Sequence, residues 1–155
     1  MELETFLRQK KTHYDTQRVA IDREGNKKIW LNGLDRLYTN INAWLNSLIQ
    51  EKIVAVNYEE MILAEDFMVS YRVKNMHITV GAELVSLKPM GMNVIGAAGR
   101  VDMEGEEGTV MLVLLSKEVN HYQWYIVVRT PQKQYFPLVK ESFTDALEQV
   151  MRKDD

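Results

Sequence analysis

Cysteine is absent from this 155-residue chain, which removes disulfides, thiolate nucleophiles and every zinc or iron–sulfur site that needs sulfur ligands. The same absence is in keeping with a reducing compartment. No uncharged apolar run reaches the roughly 18 residues that a membrane-spanning helix requires. The N-terminal MELETFLRQKK is acidic where a secretory signal carries positive charge, and it has no continuous apolar core. The expectation is a cytoplasmic protein without membrane association. Basic excess is missing too: 19 Lys and Arg stand against 22 Asp and Glu, a net charge of −3, which argues against general nucleic-acid binding. The most basic run, from Arg8 through Lys10, Lys11, Arg18, Arg23 and Lys27 to Lys28, is interleaved with Asp15, Asp22 and Glu24 and reads as a solvated helix face.

Catalytic signatures are equally scarce. His13, His77 and His121 are scattered, with no HExxH and no pair at metal-ligand spacing, and none of Ser47, Ser70, Ser86, Ser116 and Ser142 lies in a G-x-S-x-G elbow. The sequence offers no cofactor motif, and no metal ligand set is assigned.

What is present describes a globular chain: 46% hydrophobic and 26% charged residues allow a real core at the usual size of one domain. Lys28 to Ile53 places Trp30, Leu34, Leu37, Ile41, Trp44 and Leu48 at alternating steps of four and three, one helical face that something must cover. Glu2 to Glu24 repeats the pattern more thinly with Leu3, Leu7, Tyr14 and Ile21, Phe6 lying beside them. Gly25-Asn26 supplies a left-handed helix stop between the two, so an antiparallel helical pair is predicted. Asn32-Gly33 sits inside the second pattern, where Gly costs about 1 kcal/mol; the second helix starts either before it or at an Asn32 cap.

After Ile53 the period changes to two. Val54 and Val56, Met61 to Leu63, the alternating Phe67 to Val73, Met76 to Val80 after a Lys74-Asn75 hairpin turn, and Glu83 to Lys88 after Gly81-Ala82 read as strands. Pro89 stops that strand or marks an edge. Asn93 to Met103, Thr109 to Leu115, Tyr122 to Arg129 and Tyr135 to Val139 continue the series, TVMLVLL being the central strand covered on both faces. Ser142 followed by Asp145 imitates a capping box before a last amphipathic helix. No strand–helix–strand alternation occurs. The predicted architecture is α+β: an N-terminal helical pair (1–52) on an antiparallel meander of about six to eight strands (53–140), closed by a C-terminal helix (141–153), all one domain.

Several clusters carry both a chemical and a structural reading. Gly96-Ala97-Ala98-Gly99-Arg100 either cradles a phosphate or gives a helix a smooth surface to pack on; the second is preferred. Arg100 and Asp102 share a strand face and form an ion pair or orient a ligand. Asp102, Glu104, Glu106 and Glu107 lack EF-hand spacing and read as a solvated turn. Glu59, Glu60, Glu65 and Asp66 read as a solvated strand end. His77 can face Glu83 across a hairpin. The late aromatics and the nine methionines suit packing or an adaptable contact surface.

The functional expectation is a non-catalytic interaction or regulatory module that binds a protein partner or forms a homo-oligomer, simplest as a homodimer, with Trp30, Leu37 and Trp44 at the interface. The alternative is a small-ligand pocket lined by Tyr71, His77, Arg100 and Asp102. A weak hydrolase using His77 and isolated carboxylates comes third.

Overall fold

The structure is a computed structural model describing residues 1–65, 70–92, 94, 96–129 and 131–154, with the backbone alone described over 14–23. Helix α1 spans Leu3–Gln50. Seven strands follow: β1 Ala55–Leu63, β2 Tyr71–Val80, β3 Glu83–Gly91, β4 Gly99–Gly105, β5 Gly108–Glu118, β6 His121–Val128 and β7 Gln134–Pro137. Helix α2, Lys140–Val150, closes the chain. The strands form one antiparallel sheet in sequence order, β1 to β7, so the α+β meander expected from the change of period is what the chain builds.

The N-terminal third is helical, but as one helix of 48 residues and not as a pair. At 1.5 Å per residue it is about 72 Å long. Gly25-Asn26 does not turn because a helix stop needs a left-handed residue followed by packing that holds the reversal; here both are helical and exposed, and Gly25 has nothing within 4 Å of where a Cβ would stand. The buried stripe begins at Trp30 and continues through Leu34, Leu37, Ile41 and Leu45. Trp44 and Leu48 are half-buried beside it.

That stripe meets the strands at two glycines. A Cβ on Gly99 of β4 would lie 2.0 Å from the Trp30 ring, and one on Gly33 of α1 would lie 2.5 Å from Leu114 of β5. Trp124 of β6 donates its indole N–H to the Gly33 carbonyl at 2.8 Å, and its ring centroid is 6.1 Å from that of Trp30. Gly33 therefore sits mid-helix because the sheet comes too close for any side chain, and the small-residue stretch before Arg100 receives a tryptophan. The helix runs through Asn32 without starting there.

The rest of the core is one cluster joining α1, α2 and the inward side chains Val85, Leu87, Val101, Met103, Leu112 and Leu114. Phe143 of α2 packs against Trp44, with ring centroids 5.4 Å apart. α2 starts at Lys140, with Ser142 in its third position: the Ser142 hydroxyl accepts from the Val139 N–H at 2.9 Å and donates to the Pro137 carbonyl at 2.8 Å. The Ser142–Asp145 capping box is thus displaced by one turn. At the far end Gly105 lies against the Val150 carbonyl, which accepts the Glu107 N–H at 2.8 Å.

Three strand details differ from the sequence reading. Lys74-Asn75 is not a turn: β2 pairs with β1 without a break from Tyr71 to Thr79, and the reversal waits for Gly81, whose φ is +60°. Strand β3 runs past Pro89 to Gly91, and the register slips between those two, the irregularity that lets a proline stay in an inner strand. Strand β4 starts only at Gly99. β5 is interior as expected, and its outward Val113 is buried without joining the core. The part of the Phe67 to Val73 alternation that precedes Ser70 lies outside the described residues.

One feature shapes the surface. β2 pairs with β3 only from Met76 onward, and its buried residues change parity there, from Tyr71 and Val73 to Met76 and Ile78. From Tyr71 to Asn75, β2 pairs with β1 alone, and the change of parity falls where the β3 pairing begins.

Two glycines test this packing in opposite directions. Gly99→Ala should lower stability by about 1–3 kcal/mol through overpacking against a rigid indole, whereas Gly25→Ala should raise it by about 0.5–1 kcal/mol through helix propensity. Urea denaturation followed by circular dichroism reads both, and a neutral Gly99→Ala would mean that Trp30 is not seated on that residue.

Candidate functional site

The outward face of the sheet collects the polar residues that the alternation turns away from the core. Asn57 pairs with His77 and His77 with Ser86, while Ser86 pairs with Glu104 and Lys88 with Asp102. His77 places Nδ1 2.7 Å from the Ser86 hydroxyl and Nε2 3.2 Å from a Glu59 carboxylate oxygen. Asn75 donates to the same carboxylate at 3.2 Å. The bond from His77, then that from Asn75, hold the Glu59 carboxyl below its ordinary range. His77 therefore meets Glu59 and Ser86, not Glu83, because the tight turn at Gly81-Ala82 sets a register that places Ser86 opposite His77 and Glu83 opposite Val80; the Glu83 carboxylate instead accepts the Arg152 N–H at 2.9 Å.

This serine–histidine–carboxylate row has the residue types of a nucleophilic triad but a different setting. Ser86 is buried, it meets the ring at Nδ1, and both strands under it are paired in the sheet, so their backbone N–H groups are not gathered around an oxyanion.

Arg100 and Asp102 form the expected pair, bidentate at 2.8 and 3.0 Å; the bond to Asp102 raises the Arg100 pKa further. Glu104 pairs with Lys88 at 2.7 Å and Glu106 with Arg152 at 2.7 Å. Three of the four carboxylates near the β4–β5 turn thus face their own cation rather than one another. Such pairs contribute little individually.

Tyr71 lies elsewhere, on the helix side. Its phenol accepts the Trp30 indole N–H at 3.0 Å and donates to Glu65, while Lys27 stands 5.2 Å over its ring. Glu65, expected at a solvated strand end, also accepts the Met92 N–H at 2.5 Å and lies against Gly91, where a Cβ would meet it. The structure thus does not converge Tyr71 with His77, Arg100 and Asp102. Trp30 and Leu37 are buried under the chain's own sheet and Trp44 is partly buried against α2, so apolar surface open to a partner lies elsewhere on α1.

A groove not foreseen from the sequence opens where α1 passes the turn between β5 and β6. Lys28, Asn32 and Arg36, at steps of four along α1, form one wall about 12 Å long; Asn120, His121 and Tyr122 form the other, around a volume of about 650 Å³. A second space of about 200 Å³, also bordered by Arg36 and Tyr122, is faced by Trp44, Trp124 and Leu138 together with Asn40 and Gln123. Arg36 donates to the Tyr122 carbonyl at 3.3 Å, and Asn120 holds a positive φ of 63°. Among the described residues no carboxylate lines either part, though Glu118 is the register partner of His121. The four-residue spacing of Lys28, Asn32 and Arg36 is legible in the sequence; the opposite wall depends on strand order.

Among the described residues no helix is long and apolar enough to cross a membrane, which says nothing of strands that might. No family model, curated protein or solved structure matches the chain.

Two phenols give this side of the molecule a pH signature. Burial, and then Tyr58, raise the Tyr38 pKa; burial, and then the bond to Glu65, raise that of Tyr71. Unfolded tyrosines ionise from about pH 10, while the folded phenols hold their protons. The stability they contribute is therefore complete below that pH and falls as pH rises toward the folded values. Denaturation midpoints measured up the alkaline range should drop for the wild type and drop less steeply for Tyr38→Phe/Tyr71→Phe.

Proposed function

We propose that this chain is a non-catalytic interaction module whose contact element is the projecting half of α1, paired with a second helix, its own copy first. The observation that carries the reading is the length of α1 that its own sheet leaves uncovered. From Leu3 to Asn26 every described side chain is exposed, and Leu3, Phe6 and Leu7 are 66, 50 and 53% exposed. The stretch is about 36 Å of helix, and the sheet covers none of its described side chains. Helices in proteins draw most of their stability from the packing of an amphipathic face rather than from propensity, and this one contains Gly25, Thr12 and Thr16. A partner helix supplies the missing burial.

The apolar positions Leu3, Leu7, Tyr14 and Ile21 recur at the spacing of a helix-pairing seam, with Lys10 and Gln17 as polar interruptions that limit affinity and set register. Charges of both signs flank them, which suits helix pairing better than attraction to a polyanion. The outward row of Ser86, His77 and Glu59 supports no hydrolytic reading, for the geometric reasons given above.

Light scattering on a size-exclusion column at tens of micromolar should give a mass above that of a monomer. Removal of residues 1–24 should return a monomer whose melting temperature stays within a few degrees, and Leu3→Glu/Leu7→Glu should weaken association in the full chain. A full-length monomer under those conditions overturns the self-association reading.

A further inference from the structure

We infer that the groove between α1 and the β5–β6 turn binds a small organic anion, a pyrophosphate-bearing head joined to a flat ring. The two halves of the groove differ in chemistry, and that difference defines the ligand. Along the outer part, the Lys28 ammonium and Arg36 guanidinium approach from one wall and the His121 imidazole from the other. In a chain with net charge −3, a lining without carboxylates is a local reversal of sign, and it concentrates anions at that point.

Donors spread over about 12 Å span more than a single phosphate and suit an anion with two linked phosphoryl groups. Arg36 uses one N–H on the Tyr122 carbonyl; a guanidinium has five, in a fork suited to phosphate oxygens. The amides of Asn32 and Asn120 add hydrogen-bonding groups without charge.

The inner part sets the rings of Trp44 and Trp124 and the side chains of Leu37 and Leu138 beside the amides of Asn40 and Gln123, a mixed lining that suits a flat ring carrying hydrogen-bonding atoms. Because Arg36 and Tyr122 border both parts, one molecule can hold its charge at the outer part and its ring at the inner one. The combined space lies in the range of small-molecule sites. The groove lies on the sheet-bound half of α1, so its occupant does not depend on what pairs with the projecting half.

The test is a titration of the full chain with adenosine diphosphate, inorganic pyrophosphate and adenosine at matched ionic strength, followed by backbone amide NMR. The diphosphate should saturably shift the amides of Asn32, Asn120, His121 and Tyr122, and bind at least tenfold more tightly than either fragment. Lys28→Gln, at an exposed position, should weaken binding several-fold with unchanged melting temperature; Arg36→Gln should weaken it more. Absence of saturable shifts, equal affinity for pyrophosphate and the nucleotide, unchanged binding in Lys28→Gln, or stronger shifts from a short polyglutamate peptide would each overturn the assignment.

Discussion

The close approach of α1 to the middle of the sheet is the constraint on which the remaining arrangement rests. It needs two missing side chains, one on each partner: Gly99 admits the Trp30 ring, and Gly33 admits Leu114. The indole of Trp124 then bonds to the backbone that Gly33 exposes. Any side chain at either glycine would force the helix outward and open the layer where Leu34, Leu37 and Ile41 are sealed. A glycine that weakens a helix locally is thus retained where global packing returns more than propensity loses.

How far these features can be read in the sequence depends on the range of the interaction involved. The stripe from Trp30 to Leu48 and the later alternation are periodic over many residues, and they gave the helix, the meander and the closing helix correctly. Gly25-Asn26 and Lys74-Asn75 are two-residue signals, compatible with a turn but not sufficient for one; Gly25 stayed helical and Asn75 stayed in β2, where its side chain bonds Glu59. The small-residue stretch around Gly99 read correctly as a packing surface because glycine has few uses in a strand.

The candidate site was much less legible. Arg100 and Asp102 are two apart on one strand, and their pairing follows from the pleat alone. His77 with Glu59 and Ser86 depends on which strands flank β2, and the choice of Glu83 failed on the register of the β2–β3 hairpin, which places Glu83 opposite Val80. The groove beside the β5–β6 turn joins residues of α1 to residues far later in the chain, as the bond between Arg36 and Tyr122, 86 positions apart, shows. Only the four-residue spacing of Lys28, Asn32 and Arg36 could have drawn notice, and on a helix surface that spacing is common.

A meander that never closes on itself keeps two outer borders, β1 and β7, and each offers unpaired main-chain groups to any extended peptide that drifts by. The borders are defended differently. β7 is four residues long and ends at Pro137, too short and too interrupted to template another strand. β1 is nine residues long and relies on the adjacent carboxylates of Glu59 and Glu60. The charge of that pair is therefore also a safeguard against edge-to-edge aggregation, and the bonds from His77 and Asn75 that lower the Glu59 pKa help that carboxylate keep its charge as the pH falls.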